Sequence, residues 1–208
     1  IRSYIHRCQK DGVKIVMNCE VTPELIKEEK PDSVIIATGS KTLILPIEGI
    51  DNPAIIHGSD LLDGKRPAGK KVLVVGGGMV GCETAAFLGE QEHDVTVIEF
   101  RDTVGADVIH EHRVYLMKDF EDYGIKEITG AKVCKFYEDG VEYETADGVR
   151  HETRGYDSVI LSMGFRNYNP LEEKIKDLVP ETHVIGDAIR ARRALDATKE
   201  AYAVASKL

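Results

Sequence analysis

The chain has 208 residues, enough for one large core or two small ones, and carries 27 Lys and Arg against 36 Asp and Glu, a formal net charge of −9. The acidic residues are scattered along the sequence, and this balance argues against nucleic-acid binding. No apolar run approaches the roughly 20 residues that cross a bilayer, and no signal peptide is recognisable, so we expect a cytoplasmic protein without membrane contact. The four cysteines form no CxxC pair, which predicts buried free thiols and no metal site.

The first residues predict an amphipathic helix followed by short alternating elements. The chain begins at Ile1 without a methionine and inside this helix, so we expect a fragment of a longer protein. Residues 13–17 predict a short strand, and Thr22 is the predicted N-cap of a helix over 23–30 with proline in its first turn. Residues 32–39 predict a buried strand that ends at a glycine.

A polar stretch over residues 64–71, with a proline and a glycine, predicts a domain boundary. It leads into a buried, β-branched strand over 72–75 and then a turn of three glycines. A helix that includes residues 85–88 and a second strand over 95–98 follow. Strand, glycine turn, helix and strand in this order are typical of a dinucleotide-binding fold.

The glycines of this turn have separate tasks in such a site. Gly76 allows the tight turn, Gly78 lets backbone N–H groups approach a pyrophosphate, and Gly81 lets the helix pack closely on the strand. The pyrophosphate then lies at the positive end of the helix dipole. Glu99, 23 residues after Gly76, is placed to accept hydrogen bonds from the adenosine ribose. The sequence therefore predicts a nicotinamide dinucleotide site.

Beyond Glu99 the pattern predicts one more helix and then antiparallel strands. The helix is predicted over 109–123, where apolar side chains recur on one face. Three short strands over 132–137, 141–144 and 149–153 are separated by Asp-Gly pairs. Because Asp-Gly favours hairpin turns, these strands are expected to form an antiparallel meander.

One strand motif occurs twice in the sequence. Residues 157–164 match residues 32–39 at Asp, Ser, Val, Ile and the terminal Gly, which indicates two related nucleotide-binding halves. A third strand ends in Gly186 and Asp187, ahead of a helix predicted over 194–208. An acidic side chain at such a strand end can hold a ribityl or ribose hydroxyl.

Four motifs, in this order and spacing, resemble the two-dinucleotide flavoprotein module of the pyridine nucleotide-disulfide oxidoreductases. They are Ala37-Thr38-Gly39, Gly76-x-Gly78-x-x-Gly81-x-Glu83, Gly164-Phe165-Arg166-x-x-Asn169 and Val184-Ile-Gly186-Asp187-Ala188. Shorter runs that begin at Thr22, Gly81 and Leu195 are similar to the C-terminal FAD/NAD(P)-binding module of the NADH:flavin oxidoreductase family with old-yellow-enzyme-like barrels. This family includes enzymes of the 2-enoate reductase, 2,4-dienoyl-CoA reductase and trimethylamine dehydrogenase type.

The resemblance implies an α/β fold in which a Rossmann-like, three-layer NAD(H)-binding domain over 68–154 is inserted in a partial FAD-binding domain. The partial domain would consist of a first segment over 1–67 and a second over 155–208. The family's first glycine-rich FAD fingerprint is not in this chain. For the full-length protein the resemblance implies an N-terminal barrel with FMN and a 4Fe-4S cluster. Hydride would pass from NADH to FAD, and electrons would then reach an enoate-type or related small-molecule substrate in that barrel.

The predicted site residues of this chain all bind cofactor, and none is predicted to be catalytic or to ligate a metal. They are Thr38, Gly39, Gly76, Gly77, Gly78, Met79, Val80, Gly81, Glu83, Glu99, Arg101, Gly164, Gly186 and Asp187. The resemblance implies that Thr38 and Gly39 approach the FAD pyrophosphate and that Asp187 holds the FAD ribityl chain. Glu83 would lie near the nicotinamide, or it stabilises the helix dipole as a first-turn acid. Arg101 would neutralise Glu99 or reach the 2′-phosphate of NADPH.

Two other function classes remain open at this point. A non-catalytic NAD(H)-binding regulatory module would bind the dinucleotide without electron transfer. A thioredoxin-reductase-like enzyme would need a CxxC pair in its nucleotide domain, and the cysteine spacing argues against it. The final electron acceptor, the strictness of NADH over NADPH and the formation of a homo-oligomer are not fixed by the sequence.

Overall fold

The structure is a computed structural model that describes residues 2–208, and the chain divides into two compact units. We name Lys41–Arg166 the central unit. The residues up to Ser40, together with Asn167–Leu208, form the flanking unit. The two ends of the sequence therefore belong to one unit, and the other is inserted between them.

The elements in chain order are as follows. The helices are α1 (Arg2–Lys10), α2 (Pro23–Glu29), α3 (Gly58–Leu62), α4 (Met79–Glu90), α5 (His110–Asp122), α6 (Glu172–Ile175) and α7 (Ala194–Ala205), with a 3₁₀ turn at Gly186–Ala188. The strands are β1 (Ser33–Ile36), β2 (Ser40–Thr42), β3 (Ile56–His57), β4 (Lys71–Val75), β5 (Asp94–Ile98), β6 (Lys126–Ile128), β7 (Lys132–Tyr137), β8 (Gly140–Glu144), β9 (Arg150–Thr153), β10 (Ser158–Leu161), β11 (Phe165–Asn167) and β12 (Glu181–Val184). None of the helices within residues 2–208 is long and apolar enough to cross a membrane.

The central unit is built on a five-stranded parallel sheet with the strand order β3-β10-β4-β5-β6. The strands β4, β5 and β10 are rich in Val and Ile and are buried along almost their whole length. Near-continuous apolar strands of this kind are typical of a parallel sheet that is covered on both faces. The sheet places the carboxyl ends of β4, β5 and β10 at one edge, where the glycine turn follows β4.

The central unit has three layers, because successive side chains of β4 face opposite sides of the sheet. Val72 and Val74 belong to a buried cluster with Leu88 of α4 and Phe120 of α5. Leu73 and Val75 belong to a second buried cluster, whose other members include side chains of β7 and β8. The antiparallel strands β7, β8 and β9 form the third layer. The sheet is thus covered by helices on one face and by a meander on the other.

The flanking unit contains a two-stranded parallel sheet in which β1 pairs with β12. Its core consists of Ile26, Ile36, Leu171, Ile175, Val179 and Ala188. Helix α2 begins as predicted, because the Thr22 hydroxyl accepts a hydrogen bond from the Leu25 N–H at 3.3 Å. Helices α1 and α7 have no buried residue among those the structure describes. The chain crosses from one unit to the other within β2 and again within β11.

The α/β fold class, the β4–α4–β5 unit and the meander are confirmed. The positions at which the chain divides differ from the predicted boundaries at 67/68 and 154/155. Residues 41–67 and 155–166 belong to the central unit, because β3 pairs with β10 and β10 pairs with β4. The two copies of the repeated strand motif therefore lie in different units, β1 in the flanking unit and β10 in the central one.

Three local predictions are wrong. Residues 13–17 form no strand, because no strand of the described residues pairs with them, and Met17 is 76% exposed. The apolar face predicted for α5 is buried at Leu116 and Phe120, whereas Ile109 and Tyr123, which flank the helix, are 45% and 40% exposed. Helix α7 ends at Ala205 rather than at residue 208.

Candidate dinucleotide-binding site

The turn after β4 accepts only glycine at its key positions. Gly76 has a φ of 104°, in the region that favours glycine, and its N–H donates to the Ile98 carbonyl at 2.9 Å. A Cβ on Gly81 would lie 1.8 Å from the Gly76 carbonyl oxygen, so the first turn of α4 rests directly on the glycine turn. A Cβ on Gly77 would lie 2.9 Å from the Glu99 Cβ. The backbone is therefore packed as closely as a dinucleotide turn requires.

The N-terminus of α4 carries backbone donors without a protein acceptor. Gly78 is its N-cap residue and has no side chain to satisfy the first N–H groups. The Met79 N–H donates to Asp107 Oδ1 at 2.9 Å, whereas the N–H groups of Val80 and Gly81 have no acceptor among residues 2–208. With the dipole of the 12-residue helix, these groups can bind an anion such as a pyrophosphate.

Glu99 is held rigidly beside the glycine turn. Its side chain is buried, with 7% exposed. Oε2 accepts the Gly77 N–H at 2.6 Å, and Oε1 accepts the Arg101 N–H at 3.0 Å. Each carboxylate oxygen retains a second lone pair, so the group can still accept from ribose hydroxyls. The Arg101 guanidinium lies 5.7 Å from the centre of the Phe100 ring and forms no ion pair with Glu99.

A loop over 100–109 covers the glycine turn. The Gly105 N–H donates to the Gly77 carbonyl at 2.7 Å, and Val104 is fully buried against the turn. Arg113 of α5 donates to the Thr103 hydroxyl at 2.9 Å and to the Val104 carbonyl at 3.1 Å. Asp107 and Arg113 are not recognisable from the sequence, because nothing in the local pattern indicates that this loop folds back onto the turn.

Cys82 lies on the buried side of the turn. Its Sγ donates to the Gly77 carbonyl at 3.3 Å. Burial raises the pKa of this thiol to about 12, and the nearby Asp107 carboxylate acts in the same direction. Cys82 is therefore a protonated packing residue at neutral pH, in accordance with the predicted free thiols.

Glu83 lies one turn into α4 with a 43% exposed side chain. Its Oε1 is 4.0 Å from Nε2 of His112 on α5, which is 49% exposed. This spacing allows an ion pair when the histidine is protonated. This contact does not test either predicted role of Glu83. Its position beside the nicotinamide and its effect on the helix dipole both stay predictions.

The remaining predicted residues belong to the flanking unit, apart from Gly164. Asp187 Oδ1 accepts the Arg192 N–H at 3.0 Å, and Oδ2 accepts the Ser40 hydroxyl at 3.3 Å. Gly39 and Gly186 have φ values of 75° and 62°, and a Cβ on Gly39 would meet nothing within 4 Å. The Thr38 hydroxyl donates to the Tyr168 carbonyl at 2.5 Å. This strand end is open at Gly39, which fits a cofactor pyrophosphate that approaches the backbone.

Within residues 2–208, no group of three or more His, Cys, Asp or Glu side chains is placed to hold a metal ion. The central unit brings together the predicted residues from Gly76 to Gly81 with Glu99, and Gly164 follows β10 at the same sheet edge with a φ of 99°. The flanking unit brings together Gly39, Gly186 and Asp187.

Comparisons with known proteins agree with this geometry. Residues 2–185 match the model of the family described as pyridine nucleotide-disulphide oxidoreductase. The chain is 30% identical over 200 residues to the cinnamate reductase of Clostridium sporogenes, which covers 95% of this chain and 30% of that protein. It is 32% identical over 199 residues to the NADH oxidase of Thermoanaerobacter brockii, and this match covers 93% of this chain and 30% of that protein.

A solved structure of 2-naphthoyl-CoA reductase superposes with a TM-score of 0.91 at 31% identity, over 100% of this chain and 31% of that one. The chain spans about a third of the length of these relatives. The family model covers most of the chain, and the glycine turn, the open α4 N-terminus and Glu99 form one dinucleotide cradle in the structure. The chain therefore belongs to the pyridine nucleotide-disulphide oxidoreductase family, and it is similar to the enoate-reductase-type flavoproteins of that family.

Proposed function

We propose that this chain is the electron-input module of an NADH-dependent flavoprotein oxidoreductase. The central unit binds NADH and the flanking unit contributes to the FAD site. The observation that carries the proposal is the cradle formed by the glycine turn, the unpaired N–H groups of Val80 and Gly81, and the Glu99 carboxylate. The pyrophosphate would lie on the α4 N-terminus and the adenosine ribose beside Glu99.

The FAD part of the proposal is supported by residues of the flanking unit. Gly39 leaves the backbone open at the carboxyl end of β1, whereas Gly186 after β12 packs closely against Ala197 of α7. Asp187 follows Gly186, and both of its carboxylate oxygens are hydrogen-bonded. A bound flavin would supply the ring that accepts hydride from the nicotinamide. This chain's residues would bind and orient the two cofactors, and none of them is proposed to act on the final substrate.

For the longer protein we propose an FMN-bearing barrel with a 4Fe-4S cluster that reduces an enoate-type or related small molecule. The names of the relatives, cinnamate reductase and 2-naphthoyl-CoA reductase, support substrates with a conjugated carbonyl group. A cytoplasmic location, a homo-oligomeric state and the absence of nucleic-acid and membrane partners are part of the same proposal.

The proposal is tested by calorimetric titration of the chain with NADH and with ADP-ribose, which lacks the nicotinamide. We expect binding of both at micromolar to submillimolar concentration, about −4 to −8 kcal/mol. Gly81→Ala should abolish both, because its Cβ would enter the Gly76 carbonyl. Gly148→Ala is the control for a glycine substitution away from the site: its φ of 78° makes alanine unfavourable there and costs some stability, but nothing lies within 4 Å of its Cβ position and binding of both ligands should be unchanged. Absence of NADH binding by the unmodified chain would refute the proposal.

A second measurement separates electron transfer from simple binding. The longer protein with bound FAD is mixed with NADH, and the reduction of ferricyanide is followed with and without Asp187→Asn. NADH-dependent reduction that falls in the variant supports the electron-input module. NADH binding with no flavin-dependent reduction in any preparation of the longer protein would instead support a regulatory NAD(H)-binding module.

A further inference from the structure

A narrow pocket lies at the carboxyl end of β10 in the central unit. Its lining residues are Thr42, Gly58, Ser59, Val80, Leu161, Ser162, Gly164 and Phe165. The pocket has room for a single small polar group rather than for a ring. It adjoins the dinucleotide cradle, because Val80 belongs to the first turn of α4 and Ser162 to the strand end beside the glycine turn.

Ser162 is the unusual residue of this pocket. Only 9% of the residue is exposed, and its Oγ is buried without a hydrogen-bond partner among the described residues. Buried hydroxyl groups in folded proteins are nearly always hydrogen-bonded, because an unpaired one loses its water without compensation. The Ser162 hydroxyl is therefore a buried polar group at the pocket whose hydrogen-bonding capacity is unused by the described residues.

Gly58 keeps the space in front of this hydroxyl open. A Cβ on Gly58 would lie 2.7 Å from Ser162 Oγ and 3.4 Å from the Leu161 carbonyl oxygen. The φ of Gly58 is outside the left-handed region, so the backbone itself would accept another residue. The absence of a side chain at position 58 thus has a steric consequence at Ser162 alone, because a Cβ there would press on the Ser162 Oγ.

The strand order tells which half of a dinucleotide would reach the pocket. Strand β5, which ends at Glu99, lies on one side of β4, and β10 lies on the other. A dinucleotide with its adenosine ribose at Glu99 and its pyrophosphate at α4 extends its second nucleotide over the end of β10. We propose that the Ser162 hydroxyl hydrogen-bonds a polar group of the nicotinamide nucleotide and so positions this half of NADH. This inference rests on the proposed function and extends it to a residue that the sequence motifs did not single out.

The test compares two ligands that share all groups except the nicotinamide. NADH and ADP-ribose are titrated into the chain and into Ser162→Ala, with dissociation constants measured by calorimetry. We expect the variant to bind NADH roughly 3- to 10-fold more weakly and ADP-ribose within about twofold of the unmodified chain. The variant should fold normally, because it removes a hydroxyl that has no partner.

Ser158→Ala is the matched control on the same strand. The Ser158 hydroxyl is also buried, but it accepts the Gly69 N–H at 2.9 Å. This variant should lower the melting temperature and leave the ratio of NADH to ADP-ribose affinity unchanged. Gly58→Ala provides an independent variant, because its Cβ would close the space at Ser162. It should weaken NADH selectively, as Ser162→Ala does.

The outcomes distinguish this inference from the proposed function. If Ser162→Ala leaves NADH binding unchanged, or weakens NADH and ADP-ribose equally, the hydroxyl does not contact the nicotinamide half and the inference is wrong. If the unmodified chain binds neither ligand, the dinucleotide site itself is refuted and the inference falls with it. The assignment is supported if Ser162→Ala and Gly58→Ala both lose NADH affinity selectively. In Ser158→Ala the ratio of NADH to ADP-ribose affinity should be unchanged.

Discussion

Glu99 and Gly77, 22 residues apart in the sequence, are joined by a hydrogen bond of 2.6 Å from the glycine N–H to the carboxylate. The same carboxylate also accepts the Arg101 N–H. Glu99 therefore has two tasks: it fixes the glycine turn to the end of β5, and it presents negative charge where the adenosine ribose is expected. Glu99→Gln removes the charge and keeps the acceptor for the Gly77 N–H, so it separates the two tasks.

Glu99→Gln should narrow the preference for NADH over NADPH. A 2′-phosphate about 4 Å from the carboxylate would be repelled by roughly 4 kcal/mol at an effective dielectric of about 20. Salt and solvent reduce this to about 1–2 kcal/mol, or about 5- to 30-fold in affinity. We expect the unmodified chain to prefer NADH by that factor and the variant to lose most of it, as measured by titration with both cofactors.

Glutamine keeps an acceptor for the Gly77 N–H and loses the one for the Arg101 N–H, because its amide nitrogen only donates, whereas Glu99→Ala would lose both acceptors and loosen the turn. Equal affinity of the unmodified chain for NADH and NADPH would show that Glu99 does not discriminate at the ribose. Arg101→Ala serves as the companion variant. A fall in NADPH affinity in Arg101→Ala, and not in Glu99→Gln, would show that Arg101 reaches the 2′-phosphate.

Gly81→Ala should destabilise the central unit by about 1–3 kcal/mol, because the added Cβ must push α4 away from the glycine turn. Thermal unfolding followed by circular dichroism measures this loss. Ala86→Gly in the same helix is the control, with an expected cost of up to about 1 kcal/mol from helix propensity and no effect on NADH binding. A Gly81→Ala protein with unchanged stability would contradict the close packing at this turn.

Cys82 should resist alkylation in the folded protein. With a pKa of about 12, its thiolate fraction near pH 8 is about 1,000-fold below that of an ordinary thiol. Cys19 is exposed and should react first. Mass spectrometry of peptides after brief treatment with iodoacetamide gives the order of reaction. In denaturant the two cysteines should react at similar rates, and rapid labelling of Cys82 in the native protein would refute its burial.

Glu200→Gln should weaken the flanking unit in a pH-dependent manner. The Arg192 guanidinium and the Gly186 N–H, at 2.5 and 2.7 Å, hold the pKa of the Glu200 carboxyl below its usual value. A lowered pKa contributes stability above the ordinary glutamate range, and this is lost as the pH falls through the folded value. The variant should therefore melt at a lower temperature than the unmodified chain at neutral pH, and the difference should disappear in acid.

Glu173→Gln is the matched control for this measurement. Glu173 pairs with Lys176 on α6 at 2.9 Å, but its side chain is 81% exposed. Exposed pairs of this kind contribute little to stability, so the melting temperature should hardly change at any pH. If Glu200→Gln behaves like this control, the contact to Gly186 does not stabilise the turn that carries Asp187.

The residues that form the site within one strand–turn–helix unit could be predicted from the sequence. The residues that contact them from more distant parts of the chain could not. The glycine turn and Glu99 were predictable because their spacing follows from the geometry of a strand–turn–helix unit. Asp107, Arg113 and Ser162 were not, since their contacts depend on how a loop and a distant strand end meet the turn. The predicted strand over 13–17 failed for a related reason, because β-propensity alone does not supply a neighbouring strand.

The position of β10 between β3 and β4 also affects the order in which the protein can fold during synthesis. Asp157, which precedes β10, bonds to Lys71 of β4 across a separation of 86 residues. At about 5–20 residues per second, a ribosome needs about 4–17 s to translate that interval. Throughout it, the edge of β4 that later receives β10 has no native strand to pair with. An unpaired edge of Val and Leu is prone to join other chains, so we expect the yield of native protein to depend on chaperones that cover β4 until β10 emerges.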